Sequence, residues 1–308
     1  LRRDEAELRA ELAEDRTRLL EVRSRRVPPG KDTKVLTSWN GLMLAPLAEA
    51  TPTLGDERYV AAARKAAGFL LDRMRTPDGR LLHSYKDEQA RFNGYLDDYA
   101  CLIDGLTRLF EVTGEPRWVE AALSLAGVML DEFADPDGGG FFYTGRSHEA
   151  LIARQKDAYD NATPSGNAMA ATALLRLGAI TGRDRLLSAG RETLQALHLL
   201  LEQSPRAAGQ SLIALDFLLG SRREFAIIAG QDEQEFRRTL SALYARFLPH
   251  KVVSVVPPGQ PPAIGELVPL LADRPAVSGR TTTYICEHYT CQAPVVGVEG
   301  LEDALKPE

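Results

Sequence analysis

The sequence predicts a mainly α protein, an α/α toroid or part of one, followed by a small α/β segment with a parallel sheet. Three observations predict it. An internal repeat of roughly 60–68 residues runs through the middle of the chain. Within each copy, a helix apolar nearly all round alternates with an amphipathic one, the pattern of inner and outer layers. After Gly220 the helical periodicity gives way to short runs rich in β-branched residues.

The elements follow in order. Residues 1–26 are charge-dense, with Leu8, Leu12, Leu19 and Val22 on one helical face, which reads as an amphipathic helix. VPPGKDTK (27–34) is a linker. The expected domains are therefore 1–34, a hairpin region 35–220, and an α/β segment 221–308. The repeat is plainest where LGDERYVAAARKAAGFLLDRMRTPDG, from Leu54, aligns with TGEPRWVEAALSLAGVMLDEFADPDG, from Thr113. Tyr59, Ala63, Ala66, Leu70 and Met74 match Trp118, Ala122, Leu125, Met129 and Phe133, one apolar stripe on each outer helix. A weaker third copy starts at Thr181-Gly182, with Leu186, Leu197 and Leu201 in the stripe. Each Pro-Asp-Gly turn leads into a β-like run, LLHSY (81–85) and GFFYT (140–144). The inner helices are expected at 39–50, 98–112 and 165–180, with a fourth at 209–219. Further on, EFAIIA (224–229), a helix at 232–247 and KVVSVV (251–256) make a βαβ unit, hence a parallel sheet, and TTTYIC (281–286) a further strand.

The densest polar stretch is KDAYDNATPSGNAMAA, from Lys156. Pro164 suits a first helical turn, with Thr163 as the cap, so the third inner helix is expected to open at 163–165. Repeat register sets Trp39-Asn40, Asp97-Asp98-Tyr99 and Ser165-Gly166 at the N-terminal ends of successive inner helices. In a toroid these helices are parallel, and their starts converge on one mouth. GYLDDY (94–99) and residues 156–161 line it, and His83, Tyr85, Phe141, Phe142 and Tyr143 form the rim. Acids, amides and aromatics around one concavity suit a sugar. Asp98 and Asp160 are the first candidates for general acid/base work, with Asp97 and Asp157 next. Substrate contacts are expected from Trp39, Asn40, His83, Tyr85, Tyr95, Tyr99, Phe142, Tyr159, Asn161, Ser165 and Asn167. The competing reading is that an Asp at a helix start only caps free N–H groups.

Other signals exclude more than they assign. A net charge of −6 argues against a general nucleic-acid binder, and no apolar run reaches the ~20 residues of a membrane span. The βαβ unit lacks a Gly-rich phosphate fingerprint, and no cofactor is implied. His148 reads as the start of a short connecting helix and His198 as a residue of an amphipathic one. Cys286-x-His288-x-x-Cys291 is half of a zinc pattern without a second pair, so strand-end packing is expected there, ahead of a redox role or a metal. Three Cys are too few for a disulfide scaffold and fit a reducing cytoplasm. A start at Leu1 without Met, lacking a signal-peptide pattern, is that expected of a fragment of a longer cytoplasmic protein.

At KVLTSWNGLM, GYLDDYACLIDGL, DPDGGGFFYT, KDAYDNATPSGNAMAA and YICEHYTCQAP the chain resembles the thioredoxin-domain-containing proteins that include spermatogenesis-associated members in animals and YyaL in bacteria. The resemblance runs over nearly the whole chain. It implies an N-terminal thioredoxin-like domain, absent here, followed by an α/α toroid of the six-hairpin glycosidase type. Upstream helices would then complete the ring. The implied toroid is similar to those of N-acylglucosamine 2-epimerases and unsaturated glucuronyl hydrolases, but the epimerases' paired catalytic histidines are not found in this sequence. Fold and pocket carry over; a catalytic assignment does not. The expectation is a sugar-binding, hydrolase-like toroid. Its rivals are a scaffold holding a peptide or protein client, and a structural fragment whose mouth is filled by its own upstream segment.

Overall fold

The computed structural model describes residues 4–260, 264–287 and 290–306. The chain divides at Lys34/Val35 into two compact units. The first holds α1 (Glu5–Ser24), a helix braced by i,i+4 ion pairs such as Arg9–Glu5 at 2.7 Å and Arg18–Glu14 at 2.8 Å. The stripe expected to bury does not: Leu8, Leu12, Leu19 and Val22 are all exposed, Leu19 at 69%. Local charge pairing supports this helix.

The second unit begins with β1 (Val35–Leu36) and the hairpin α2 (Thr37–Leu54) and α3 (Glu57–Arg73). Strands β2 (Leu82–Lys86) and β3 (Gln89–Asn93) follow, and β1-β2-β3 form an antiparallel sheet. Next come α4 (Leu96–Thr113) and α5 (Pro116–Phe133), then α6 (Gly166–Thr181) and α7 (Asp184–Ala196), a short α8 (His198–Gln203), and α9 (Gly209–Leu219). The glycines that mark the repeat are its hinges. Gly55, Gly114 and Gly182 end α2, α4 and α6 in the left-handed conformation (φ 67°, 64° and 64°), where a Cβ would be strained. Each turn reverses the chain into an outer helix.

The inner helices are parallel. Ser38 meets Asp98, Gly41 lies against Cys101 and Leu102, and Leu44 lies against Gly105, so position advances together along α2 and α4. The row runs α2, α4, α6, α9, with α3, α5 and α7 outside. This is an α/α toroid-like fold. Trp118, Ala122, Leu125, Met129 and Phe133 of α5 are all buried as the stripe requires; on α3, Val60 and Ala67 take the core positions, and Tyr59 and Ala66 are only half-buried.

The run GFFYT does not become a strand. Beyond a single bridge between Ala134 and Phe141, Phe142 N–H bonds to Phe133 O and Tyr143 N–H to Gln155 O, so no ladder can propagate. Pro164 precedes α6 rather than entering it: Ser165 is the cap, accepting from Ala168 N. His148 lies in a turn and starts no helix.

After α9 come β4 (Arg223–Ile228), α10 (Glu233–Tyr244) and β5 (Lys251–Val256), with β4 and β5 parallel. Strand β6 (Thr282–Glu287) runs antiparallel to β4, and β7 (Thr290–Cys291) and β8 (Val295–Val296) run antiparallel to β6, so the sheet is mixed. A final helix, α11 (Gly297–Ala304), has no counterpart in the sequence reading. Residue 220 marks a change of secondary structure but no break in packing. One core takes in Leu44, Trp118 and Leu174 together with Phe225, Val253 and Leu301. The sheet segment docks at the far end of the inner helices, where Ser241 Oγ donates to Pro52 O and Gly114 abuts Val255 O. That leaves the N-terminal ends of the inner helices facing away from it.

Candidate functional site at the starts of the inner helices

Four helix starts meet at one end of the second unit. Asp98 Oδ1 accepts from Ser38 N at 2.9 Å, which ties α4 to α2. The Cβ position of Gly166 lies 3.0 Å from Leu96 Cδ2 and 3.5 Å from Asp97 N, so α6 begins beside α4. Asp160 accepts from Ser165 N at 2.9 Å and from Gln210 N at 2.7 Å, which binds the starts of α6 and α9 together. The expected convergence of Trp39, Asp98 and Ser165 is present in the backbone.

The four carboxylates are used very differently. Asp98 is fully buried and accepts from Ser38 N, Tyr95 N and His83 Nδ1, each at 2.9 Å. Asp160 is committed to the two backbone N–H groups just named. Asp157 Oδ2 accepts from Gly166 N at 2.9 Å. These three caps satisfy helix-start donors, as the dipole favours. Asp98 and Asp160, the leading acid/base candidates from sequence, therefore have their carboxylates spent on the fold.

Asp97 is the exception. Its Oδ1 is buried and has no hydrogen-bond partner. Burial, with the neighbouring Asp98 charge adding to it, pushes its pKa up to about 6. It sits where a helix dipole should favour charge, and desolvation still wins. A carboxyl of this kind exchanges its proton near pH 6 and can give or take it.

Aromatic rings cluster at the start of α4, and Tyr143 and His83 are near enough to Asp97 to interact with its charge. Tyr95 stacks on Tyr143 with centroids 4.9 Å apart, while His83 meets Tyr95 edge-on at 5.1 Å and His148 lies 5.3 Å from it. The Tyr143 phenol is pushed well above its ordinary pKa by burial and then by the charges of Asp97, Asp98 and Asp157. The Arg154 guanidinium lies 4.3 Å over the Phe142 ring and donates to Thr144 O and Glu132 O. Trp39 is 62% exposed on the first turn of α2.

Several residues expected to contact a ligand turn inward. Asn167 is buried, accepts from Phe141 N and donates to Phe141 O and Asp157 O, all at 2.8 Å. Tyr99 is in the core and its hydroxyl accepts from Leu81 N at 2.8 Å. Ser165 is a buried cap, and Asn40 donates to Leu36 O at 2.8 Å. Tyr85 packs edge-on against Phe69 at 5.0 Å. Tyr159 and Asn161 are exposed, and Asn161 Oδ1 accepts from Ala162 N. His148, expected only to start a connecting helix, instead lies beside Tyr95; its Nδ1 accepts from Gly145 N at 3.0 Å and its Nε2 is buried without a partner. The aromatics of GFFYT were the available signal that this loop packs on the start of α4, where Leu96 N donates to Tyr143 O at 3.0 Å. Ser38 contributes its backbone N–H to Asp98 and its side chain to Asp97, where it opposes the rise in pKa without cancelling it; no sequence pattern marks either contact.

Among the described residues no group of His, Cys, Asp and Glu is arranged to hold a metal, and no helix is long and apolar enough to cross a membrane. His288 of the cysteine motif lies outside those residues. Cys286 and Cys291, expected merely to pack, are joined as a disulfide across β6 and β7. Their register places the two side chains side by side.

No family model matches the chain. It is 28% identical over 301 residues to human spermatogenesis-associated protein 20, covering 94% of this chain and 38% of that protein. To the Mus musculus protein of the same name it is 30% identical over 289 residues, covering 90% of this chain and 36% of the relative. The chain thus spans well under half the length of these relatives. Among solved structures it is similar to the GH76 α-mannanase BT2949 of Bacteroides thetaiotaomicron, with a TM-score of 0.51 and 14% identity over 72% of this chain and 58% of that chain. At that identity the likeness speaks for the fold alone.

Proposed function

We propose that the mouth formed by the starts of α2, α4, α6 and α9 binds a sugar, and that Asp97 transfers a proton to or from a sugar oxygen there. One observation carries this reading. Asp97 is the mouth carboxyl whose buried oxygen has no partner within the fold and whose pKa is raised to about 6. The Asp98–His83 pair, at 2.9 Å, holds the imidazole against Tyr95 and fixes the rim from below. The Tyr95–Tyr143 stack and exposed Trp39 supply flat apolar faces for a pyranose ring. Glycoside hydrolysis would need a second carboxylate, and Asp157, whose Oδ2 caps α6 while its charge acts on the Tyr143 phenol, is the residue we propose for that role through its other oxygen. The toroid-like fold is shared with an α-mannanase, which is consistent with a carbohydrate ligand.

A thermal-shift panel of neutral sugars, uronates and short peptides tests the proposal. A sugar above its Kd raises the melting temperature by mass action, and Asp97→Asn or Tyr143→Ala abolishes that rise. A response to peptides with none to any sugar would transfer the mouth to a peptide-holding scaffold, attached in the longer protein to a thioredoxin-like domain.

A further inference from the structure

The Cys286–Cys291 pair stands away from the mouth, on the sheet segment, and its surroundings differ from those of a disulfide that only staples a core. Cys286 is 2% exposed, whereas Cys291 is exposed on the two-residue strand β7, next to β6 in the sheet order. One guanidinium nitrogen of Arg274 lies 3.5 Å from Cys286 Sγ and 3.2 Å from Cys291 Sγ. The same side chain lies 4.8 Å over the Tyr284 ring, and its Nε is buried without a partner. The acids nearest along the strands are engaged elsewhere: Glu224, paired in register with Cys286, holds Arg222 at 2.9 Å, and Glu287 accepts from Ser221. A fixed cation against both sulfurs gains little from a neutral disulfide. It gains much more from thiolates.

From this geometry we infer that Cys286 and Cys291 form a dithiol/disulfide couple that exchanges with external dithiols, with Arg274 stabilising the thiolates. A reductant thiolate attacks the exposed Cys291 Sγ. A new S–S bond joins reductant and Cys291, the Cys286–Cys291 bond breaks, and its electron pair leaves on Cys286 Sγ beside Arg274. The reductant's second thiolate then displaces Cys291 and closes the reductant's own disulfide. Two electrons pass to the protein, and the two protons from the reductant's thiols end on, or exchange from, the two protein sulfurs.

The inference is tested on the folded chain with dithiothreitol and iodoacetamide. Mild reduction followed by alkylation should add two labels while the circular dichroism stays unchanged; the third cysteine, Cys101, is buried and should label only on unfolding. In Cys286→Ser, alkylation of Cys291 followed against pH should show a midpoint below the ordinary thiol value of about 8.5. Arg274→Gln should raise that midpoint and slow alkylation at pH 7 by about tenfold for each unit of the rise, and Arg274→Lys should restore part of it. The same pH profile on the wild-type dithiol covers the case of a poorly folded Ser variant. Labelling only after denaturation, or a midpoint indifferent to Arg274→Gln, would overturn the inference.

Discussion

At the scale of single residues, the mouth sets two adjacent acids to opposite uses. Asp98 is fully buried yet holds three donors, so its charge belongs to the fold. Asp97, one residue earlier, keeps a buried oxygen unpartnered and a pKa of about 6. Its folded pKa lies above the unfolded value, so the native state binds the extra proton and stability falls as pH climbs from about 4 to about 6. Asp97→Asn removes that penalty. It is expected to raise stability at pH 7–8 by up to about 3 kcal/mol and to flatten the decline, read by urea melts across pH, while sugar binding is lost. Asp98→Ala is expected to do the reverse, lowering stability by about 2–4 kcal/mol because Ser38 N–H and Tyr95 N–H lose their acceptor. A stability loss in Asp97→Asn would end the case for it as a functional group.

Among the elements, the decisive contact is between α2 and α4. A Cβ on Gly41 would come 2.6 Å from Leu102 N, and one on Gly105 would come 2.5 Å from Gly41 O. The two backbones touch, which holds Ser38 within reach of Asp98. Gly41→Ala and Gly105→Ala are each expected to destabilise by about 3 kcal/mol or more, since backbone has to move to admit the methyl. Ligand binding should weaken in the same variants, because the capping bond fails with the contact. Urea melts and the sugar panel measure both. A methyl tolerated at either position would mean that the helices stand further apart than described.

For the whole molecule, a buried ion network joins the helical ring to the sheet. Arg176 of α6 pairs with Glu111 of α4 at 3.0 Å and donates to Lys251 O, while Glu111 also accepts from Val253 N at 2.9 Å. Arg108 extends it to Glu49 of α2 at 2.6 Å. Arg176→Met leaves Glu111 only the longer 3.8 Å pair with Arg108 and is expected to cost about 3 kcal/mol, whereas the double variant Arg176→Met/Glu111→Leu should recover much of the loss. Thermal melts of the three proteins check this. A single transition in each would show that ring and sheet unfold together, as one shared core requires.

Much of this architecture was legible because it is local. The three repeat glycines, the Trp118–Phe133 stripe and the β-branched run KVVSVV each constrain a segment through its own dihedrals and side chains. The ring register then followed, and with it the meeting of Trp39, Asp98 and Ser165. Which carboxylate kept a buried oxygen without a partner was not legible. Asp97, Asp98, Asp157 and Asp160 are one residue type at similar helix starts, and only the backbone N–H groups brought in from α2, α6 and α9 distinguish them. The sulfur pair was hidden for the same reason, since Cys286 and Cys291 become neighbours through strand pairing and meet Arg274 only through the loop that carries it. By itself the sequence determined helices, turns and their order, because those depend on each segment's own chemistry. The tertiary structure alone decided protonation and partnership, because desolvation and hydrogen bonding are properties of what surrounds a group.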